Sequence, residues 1–260
     1  MSKLDIHKLQ NGMVILGERI DHVQSVSFHF LLPAGSALMP DGCCGAGTVI
    51  SDWLFRGAGD RDSRELIDAL DGLGIHRHTS VSAKHLDLSA SMEAGNLSDA
   101  LELIADVVLR PKLCSDQFEF SRQQAINELY GLDDDPREKV MLCLAEQFYP
   151  DPYGRPATGK LPELQSLTAE KTAAIVNNCF HPSQTIFSIC GHYDFDAVCR
   201  QMETLFGGNS EFSPPVIAPK HKGKSYLHLP GEGAQIHIGL MTEVPPIASG
   251  CYYELMATVS

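Results

Sequence analysis

The stretch on which the reading of this chain turns is Gly45-Ala46-Gly47-Thr48-Val49-Ile50-Ser51-Asp52-Trp53-Leu54-Phe55-Arg56-Gly57. A small-residue approach leads into an apolar run free of proline, and residues 43–55 are predicted to form a helix. Thr48, Ser51 and Asp52 then share one face, because helical residues three and four apart are neighbours. Upstream, residues 5–9, 13–20 and 24–32 read as strands, the first two joined by the hairpin signal Gln10-Asn11-Gly12. Downstream, Ser63 caps a helix through residue 73, and residues 76–82 and 84–92 alternate like a strand pair. Residues 96–109 are amphipathic and stop before Pro111, Ser115 caps a long helix carrying Phe118, Ile126 and Leu129, and Pro136 opens another to about residue 148. Thr168 caps a helix over 169–180, 185–191 is a buried strand, and 194–206 is a helix closed by Gly207-Gly208. Strands followed by runs of helices, without strict alternation, predict an α/β (α+β) fold. Its mostly antiparallel sheet would have helices packed on one face.

With 43% hydrophobic and 20% charged residues over 260 positions, the chain can bury a full core. A net charge of −13 disfavours nucleic acid and anionic membrane surfaces, which reward clustered Lys and Arg. The start, Met-Ser-Lys-Leu-Asp-Ile-His, lacks an apolar h-region, and no uncharged run reaches membrane-spanning length, so a cytoplasmic location is expected. None of the eight cysteines forms a C-x-x-C pair, and reduced thiols acting as small hydrophobes are expected. Cys43-Cys44 could serve as a nucleophile or ligand pair, but adjacent helical residues point roughly 100° apart.

The organisation changes near Gly208. Residues 209–224 carry three prolines and three lysines with few apolar residues, the composition of a linker between a first domain at 1–208 and a segment at 225–260. Residues 226–229 and 235–241 read as strands, and a helix starts after Gly250. At an offset of 208, His29 falls on His237, Leu32 on Leu240, Gly42 on Gly250 and Cys43 on Cys251, with strand, Pro-containing loop and helix start in the same order. This pattern predicts the opening of a second, homologous copy.

A helical H-x-x-E-H sets two imidazoles one turn apart as zinc ligands, with the Glu between them as general base. In that frame this chain reads Thr48, Ser51 and Asp52, and its Trp-Leu-Phe-Arg-Gly continuation resembles the Leu-Phe-Lys-Gly of the pitrilysin/insulinase zinc metallopeptidases, the family of the mitochondrial processing peptidase. The resemblance runs on. Gly72-Leu-Gly-Ile-His76-Arg-His-Thr79-Ser80 is similar to the family's Gly-rich segment ending in Asn-Ala-x-Thr-Ser, and Ala125-Ile-Asn-Glu128-Leu to the helix with its late ligand Glu. Glu128 lies 76 residues after Asp52, similar to the family spacing. Gly154-Arg155-Pro156-Ala-Thr-Gly159 and His181-Pro-Ser-Gln follow in the family's order.

The resemblance implies that Thr48 and Asp52 occupy the two histidine positions, Ser51 the general base, and Glu128 the one retained ligand. Hydroxyls are poor Zn²⁺ ligands at neutral pH, so no bound cofactor is expected, and loss of the base alone costs about 10²- to 10⁴-fold in rate. His76, Thr79 and Ser80 would lie at the family's substrate-binding edge. His76 and His78 share a strand face, and His85 across the hairpin could complete an alternative metal site. The family architecture, two homologous halves closing like a clam shell, implies an inactive homologue that binds peptide or pairs, as a homodimer or with an active subunit. The alternatives are an active zinc metalloendopeptidase with displaced ligands, and a structural scaffold subunit of a larger complex.

Overall fold

The computed structural model describes residues 4–208, 226–230 and 235–259. Its centre is the strand that the alternation in 24–32 predicts. Along β3 (Ser25–Leu32), Val26, Phe28, Phe30 and Leu32 are buried, while Ser25 and Ser27 are exposed and His29 and Leu31 half-buried. Six strands share one sheet in the order β1 (Leu4–Lys8), β2 (Val14–Arg19), β8 (Ile186–Gly191), β3, β7 (Leu86–Glu93) and β6 (His76–Val81). The sheet is antiparallel except that β8 runs parallel to β2. Register places Phe28 beside Ala90 and Ile189, and Phe30 beside Leu88 and Phe187, so one face is continuously apolar. Phe28, Phe30 and Phe187 form an aromatic triplet with ring centroids 4.8–5.7 Å apart. The opposite face carries Ser27, His29, His76, His78, Asp87, Ser89, Ser91, Ser188 and Cys190, and remains polar.

The helices cover the apolar face. They are α1 (Ala46–Trp53), α2 (Ser63–Gly72), α3 (Leu97–Leu109), α4 (Ser115–Gly131), α5 (Pro136–Phe148), α6 (Leu161–Ser166), α7 (Ala169–Cys179) and α8 (Phe195–Phe206). Two short strands, β4 (Gly57–Ala58) and β5 (Arg61–Asp62), precede α2. α1 is anchored by Trp53, which is fully buried, donates its indole N–H to the Cys114 carbonyl at 3.1 Å and meets the Phe118 ring of α4 at 4.9 Å. Thr168 caps α7 as expected, and Asp62, Asp135 and Asp194 likewise accept from a backbone N–H in the first turn of α2, α5 and α8, whereas Ser63 and Ser115 are first helical residues rather than caps.

Several predicted elements are revised. The helix expected over 43–55 starts only at Ala46, because Gly45 adopts φ 94°, a left-handed conformation that helix interiors do not use. The strand expected from residue 84 begins at Leu86, since residues 82–85 form a turn held by the Ser82 N–H to the His85 carbonyl. The linker at 209–224 lies outside the described residues. Residues 226–230 and 235–241 form no strand, whereas the helix after Gly250 is present as α9 (Tyr252–Val259). A strand exists only with a partner. Residues 235–241 have no ladder partner among the described residues. Ile236, Ile238 and Leu240 are consequently 89%, 81% and 92% exposed, while Gly239 lies against Val140 and Leu144 of α5.

Candidate functional site

α1 is held at both ends. At its start, Gly45 and Gly159 meet backbone to backbone, such that a Cβ on either would lie 2.7–2.8 Å from the other's Cα. That approach seats the 154–159 loop on the helix. The Cys44 N–H donates to a Glu163 carboxylate oxygen at 2.8 Å, and the Cys44 thiol lies 3.3 Å from the Pro156 carbonyl. Burial, and secondarily the Glu163 charge, push the Cys44 thiol up to about 11. Burial likewise raises Cys43. Both are inert at neutral pH as nucleophiles or thiolate ligands. A cavity of about 350 Å³ opens beside them, lined by Asp41, Glu146, Asp151, Arg155, Lys160 and Glu163 among others. Its charges are paired, Arg155 to Asp41 at 2.6 Å and to Asp151 at 2.9 Å, Lys160 to Glu146 at 2.6 Å.

The residues expected in the zinc frame are brought to one turn of α1, and each is already engaged. Thr48 Oγ1 donates to the Ala157 carbonyl at 2.7 Å, and Ser51 Oγ donates back to the Thr48 carbonyl at 2.8 Å. Asp52 accepts from Arg56 Nη2 at 2.8 Å and Nε at 2.9 Å, and from Ser121 Oγ of α4 at 2.6 Å. Arg56 also lies over the Phe120 ring at 6.0 Å. Glu128 is exposed, with only a 3.4 Å contact from Gln124 within its own helix. The contacts Trp53–Phe118 and Asp52–Ser121 step backward along α1 as they step forward along α4. Glu128, about 10 Å beyond Ser121 by helix rise, is thereby carried toward the Thr48 end of α1.

This donor set does not fit a zinc ion. Two hydroxyls are held by carbonyls, the Asp52 carboxylate is neutralised by a guanidinium, and no group of three or more His, Cys, Asp or Glu side chains with metal-binding geometry occurs among the described residues. The histidine alternative is not assembled either. His76 and His78 pair with Ser91 and Ser89 on the open sheet face, whereas His85 sits in the turn at the far end of the hairpin. At about 3.3 Å per residue, the strand between separates His76 and His85 by more than a metal can bridge. Burial pushes the His85 imidazole down, with Asp87 opposing.

His76, Thr79 and Ser80 all lie on β6. β6 ends the sheet, its side away from β7 is unpaired among the described residues, and α1 leans on it through Gly47 against Val81. His76 and Ser80 are exposed on the open face, and Thr79 is half-buried toward the helices. Sequence reasoning missed Arg77, whose guanidinium carbon lies 4.1 Å from the centroid of the buried Phe55 ring. It also missed Ser121. A guanidinium and a ring on separate elements, far apart along the chain, carry no motif, so only the folded chain reveals the contact.

The family profile described as Insulinase (Peptidase family M16) matches residues 14–160, more than half of the chain. The chain belongs to this peptidase family. A protein named an uncharacterized zinc protease from Mycobacterium leprae is 24% identical over 200 residues, covering 76% of this chain and 45% of the relative. Among solved structures, a protease from Helicobacter pylori superimposes with a TM-score of 0.78 at 19% identity, covering 85% of this chain and 54% of that one. A structure described as a peptidase M16 inactive domain from Pseudomonas fluorescens gives 0.73 at 16% identity, with coverage of 84% and 55%. The chain thus spans about half the length of the proteins it matches.

Proposed function

We propose that this chain is a catalytically silent member of its family that binds extended peptide along the edge of β6 and pairs with a homologous subunit. The observation that carries the reading is the state of Asp52. At the position of a zinc-ligating histidine, its carboxylate is bonded to Arg56 and Ser121, so the positive charge that a metal would bring is supplied by a side chain. Ser51, in place of a general base, has no acid–base function near neutral pH and gives its only proton to a carbonyl. Peptide binding is supported by the open edge of β6 beside α1, since an unpaired strand offers backbone donors and acceptors in register with an added strand. Pairing is supported by the exposed row Ile236, Ile238 and Leu240, whose alternation suits a strand completed by another polypeptide.

The test is a measurement of zinc content and peptide turnover on the purified chain. Sub-stoichiometric zinc and no chelator-sensitive cleavage of quenched fluorescent peptides are expected. Stoichiometric zinc lost on Glu128→Ala, together with chelator-sensitive turnover, would instead establish a working peptidase. Sedimentation at micromolar concentration checks association, with a clean monomer counting against homodimerisation, and Ile238→Lys expected to weaken any dimer.

A further inference from the structure

We propose that the β6 edge selects peptides bearing carboxylates, with Arg77 as the residue that reads them; this rests on the peptide-docking reading above and names its chemistry. The chain as a whole is acidic, at −13, yet residues 72–86 contain no Asp or Glu while holding His76, Arg77, His78, Lys84 and His85. This basic stretch is the free strand and the turn that follows it. At neutral pH its fixed cations are Arg77 and Lys84, and Arg77 is the one on the free strand beside α1.

Arg77 is built for directional recognition. Its guanidinium lies on the Phe55 ring at 4.1 Å, and that ring is 3% exposed, so the platform beneath the cation is fixed. Among the described residues Arg77 makes no hydrogen bond or salt bridge, whereas Arg56, Arg110 and Arg155 each hold a carboxylate. Two acidic groups lie near enough to be felt. Asp52 is already bonded to Arg56 and Ser121, and Asp71, at the end of α2, is exposed. A guanidinium stacked by its face keeps its N–H edge open, the arrangement that suits bidentate carboxylate binding. Alternation places Arg77 on the helix side of the strand and His76 and His78 on the other. An extended peptide along this edge would turn every second side chain to the helix side, where one of them would meet Arg77, and the rest to the face that carries His76 and His78.

The experiment uses the full chain and three fluorescein-labelled octapeptides in which Val alternates with Glu, Gln or Lys. Affinity is read by anisotropy at low and at 0.15 M salt, and the site by hydrogen exchange of the amides of residues 76–81. The Glu peptide should bind about tenfold more tightly than the Gln peptide, with the margin shrinking in salt and the β6 amides protected. Arg77→Ala should remove that margin while leaving the Gln peptide unchanged, and Arg77→Lys should restore part of it; circular dichroism verifies that both variants are folded. Equal binding of the three peptides with β6 protected would overturn the charge selection and leave edge docking intact. Absence of β6 protection with every peptide would overturn both.

Discussion

The outer turn of α1 and the edge of β6 are neighbours, and they treat their polar groups in opposite ways. On α1, Thr48, Ser51 and Asp52 are each bonded to a carbonyl, a guanidinium or a hydroxyl, and the Cys44 amide and thiol just ahead of them are likewise engaged. On β6, the outward backbone groups pair with no strand and the Arg77 guanidinium, though it lies on the Phe55 ring, has no hydrogen-bond or salt-bridge partner among the described residues. A group satisfied internally gains little from a ligand, because binding would have to replace a bond it already has. An open edge exchanges only water for the ligand and gains about 1 kcal/mol per bond. The comparison teaches that the polar groups of this turn of α1 are satisfied within the chain, while the adjoining strand keeps an open edge among the described residues.

The largest effect should come from reversing the closed region. Thr48→His with Asp52→His places two imidazoles one turn apart, with Glu128 carried toward the same end by the antiparallel course of α4. Zinc should then bind. At a concentration a thousand times the dissociation constant it should stabilise the folded variant by about 4 kcal/mol, visible as a rise in melting temperature absent from the parent. A folded double variant that ignores zinc would mean that α1 and α4 no longer hold the inherited spacing. Adding Ser51→Glu supplies the missing base and tests whether this half alone turns over peptide.

Next in size is removal of the internal cation–anion bond. Asp52→Ala leaves Arg56 and Ser121 without their acceptor in a half-buried setting and should cost about 2 kcal/mol in urea unfolding. Ser121→Ala, which removes one donor only, should cost about 1 kcal/mol. If Asp52→Ala is neutral, the site is not closed by this network, and the contrast with β6 fails.

The smallest expected effect concerns Cys44. Its thiol is raised from 9.0 to about 11, so at pH 8 about one thiol in a thousand is ionised and alkylation of the folded chain should be barely detectable. Because the folded value lies above the unfolded one, the contribution to stability is complete below pH 9 and lost as pH rises through 11. Alkaline melting curves should show that loss, and Cys44→Ala should blunt it. Rapid alkylation at pH 8 without unfolding would show that this end of α1 is open.

Much of the fold was legible because local signals agree with one another. The Ser25–Leu32 alternation, the caps at Thr168 and Asp194, and the stop before Pro111 report what a few consecutive residues prefer, and the tertiary structure keeps those preferences. β8 was legible as a strand but not as the insertion between β2 and β3, since pairing across more than a hundred residues leaves no trace in spacing. The candidate site was legible as positions. Thr48, Asp52 and Glu128 come from the frame of a motif, while Ser121 and Arg77 do not, because their partners lie far away along the chain or on another element.

The sequence by itself determined the family, most of the strands and helices of the first 208 residues, and the absence of histidine at 48 and 52 and of glutamate at 51, because side-chain chemistry and short-range periodicity are properties of the chain. Only the tertiary structure decided what replaced the lost chemistry. That Asp52 is held by Arg56 and Ser121, that Arg77 lies on Phe55, and that residues 235–241 pair with no strand among the described residues depend on which surfaces meet in three dimensions. Hydrogen bonds are satisfied by proximity, and proximity is fixed by packing rather than by order along the chain.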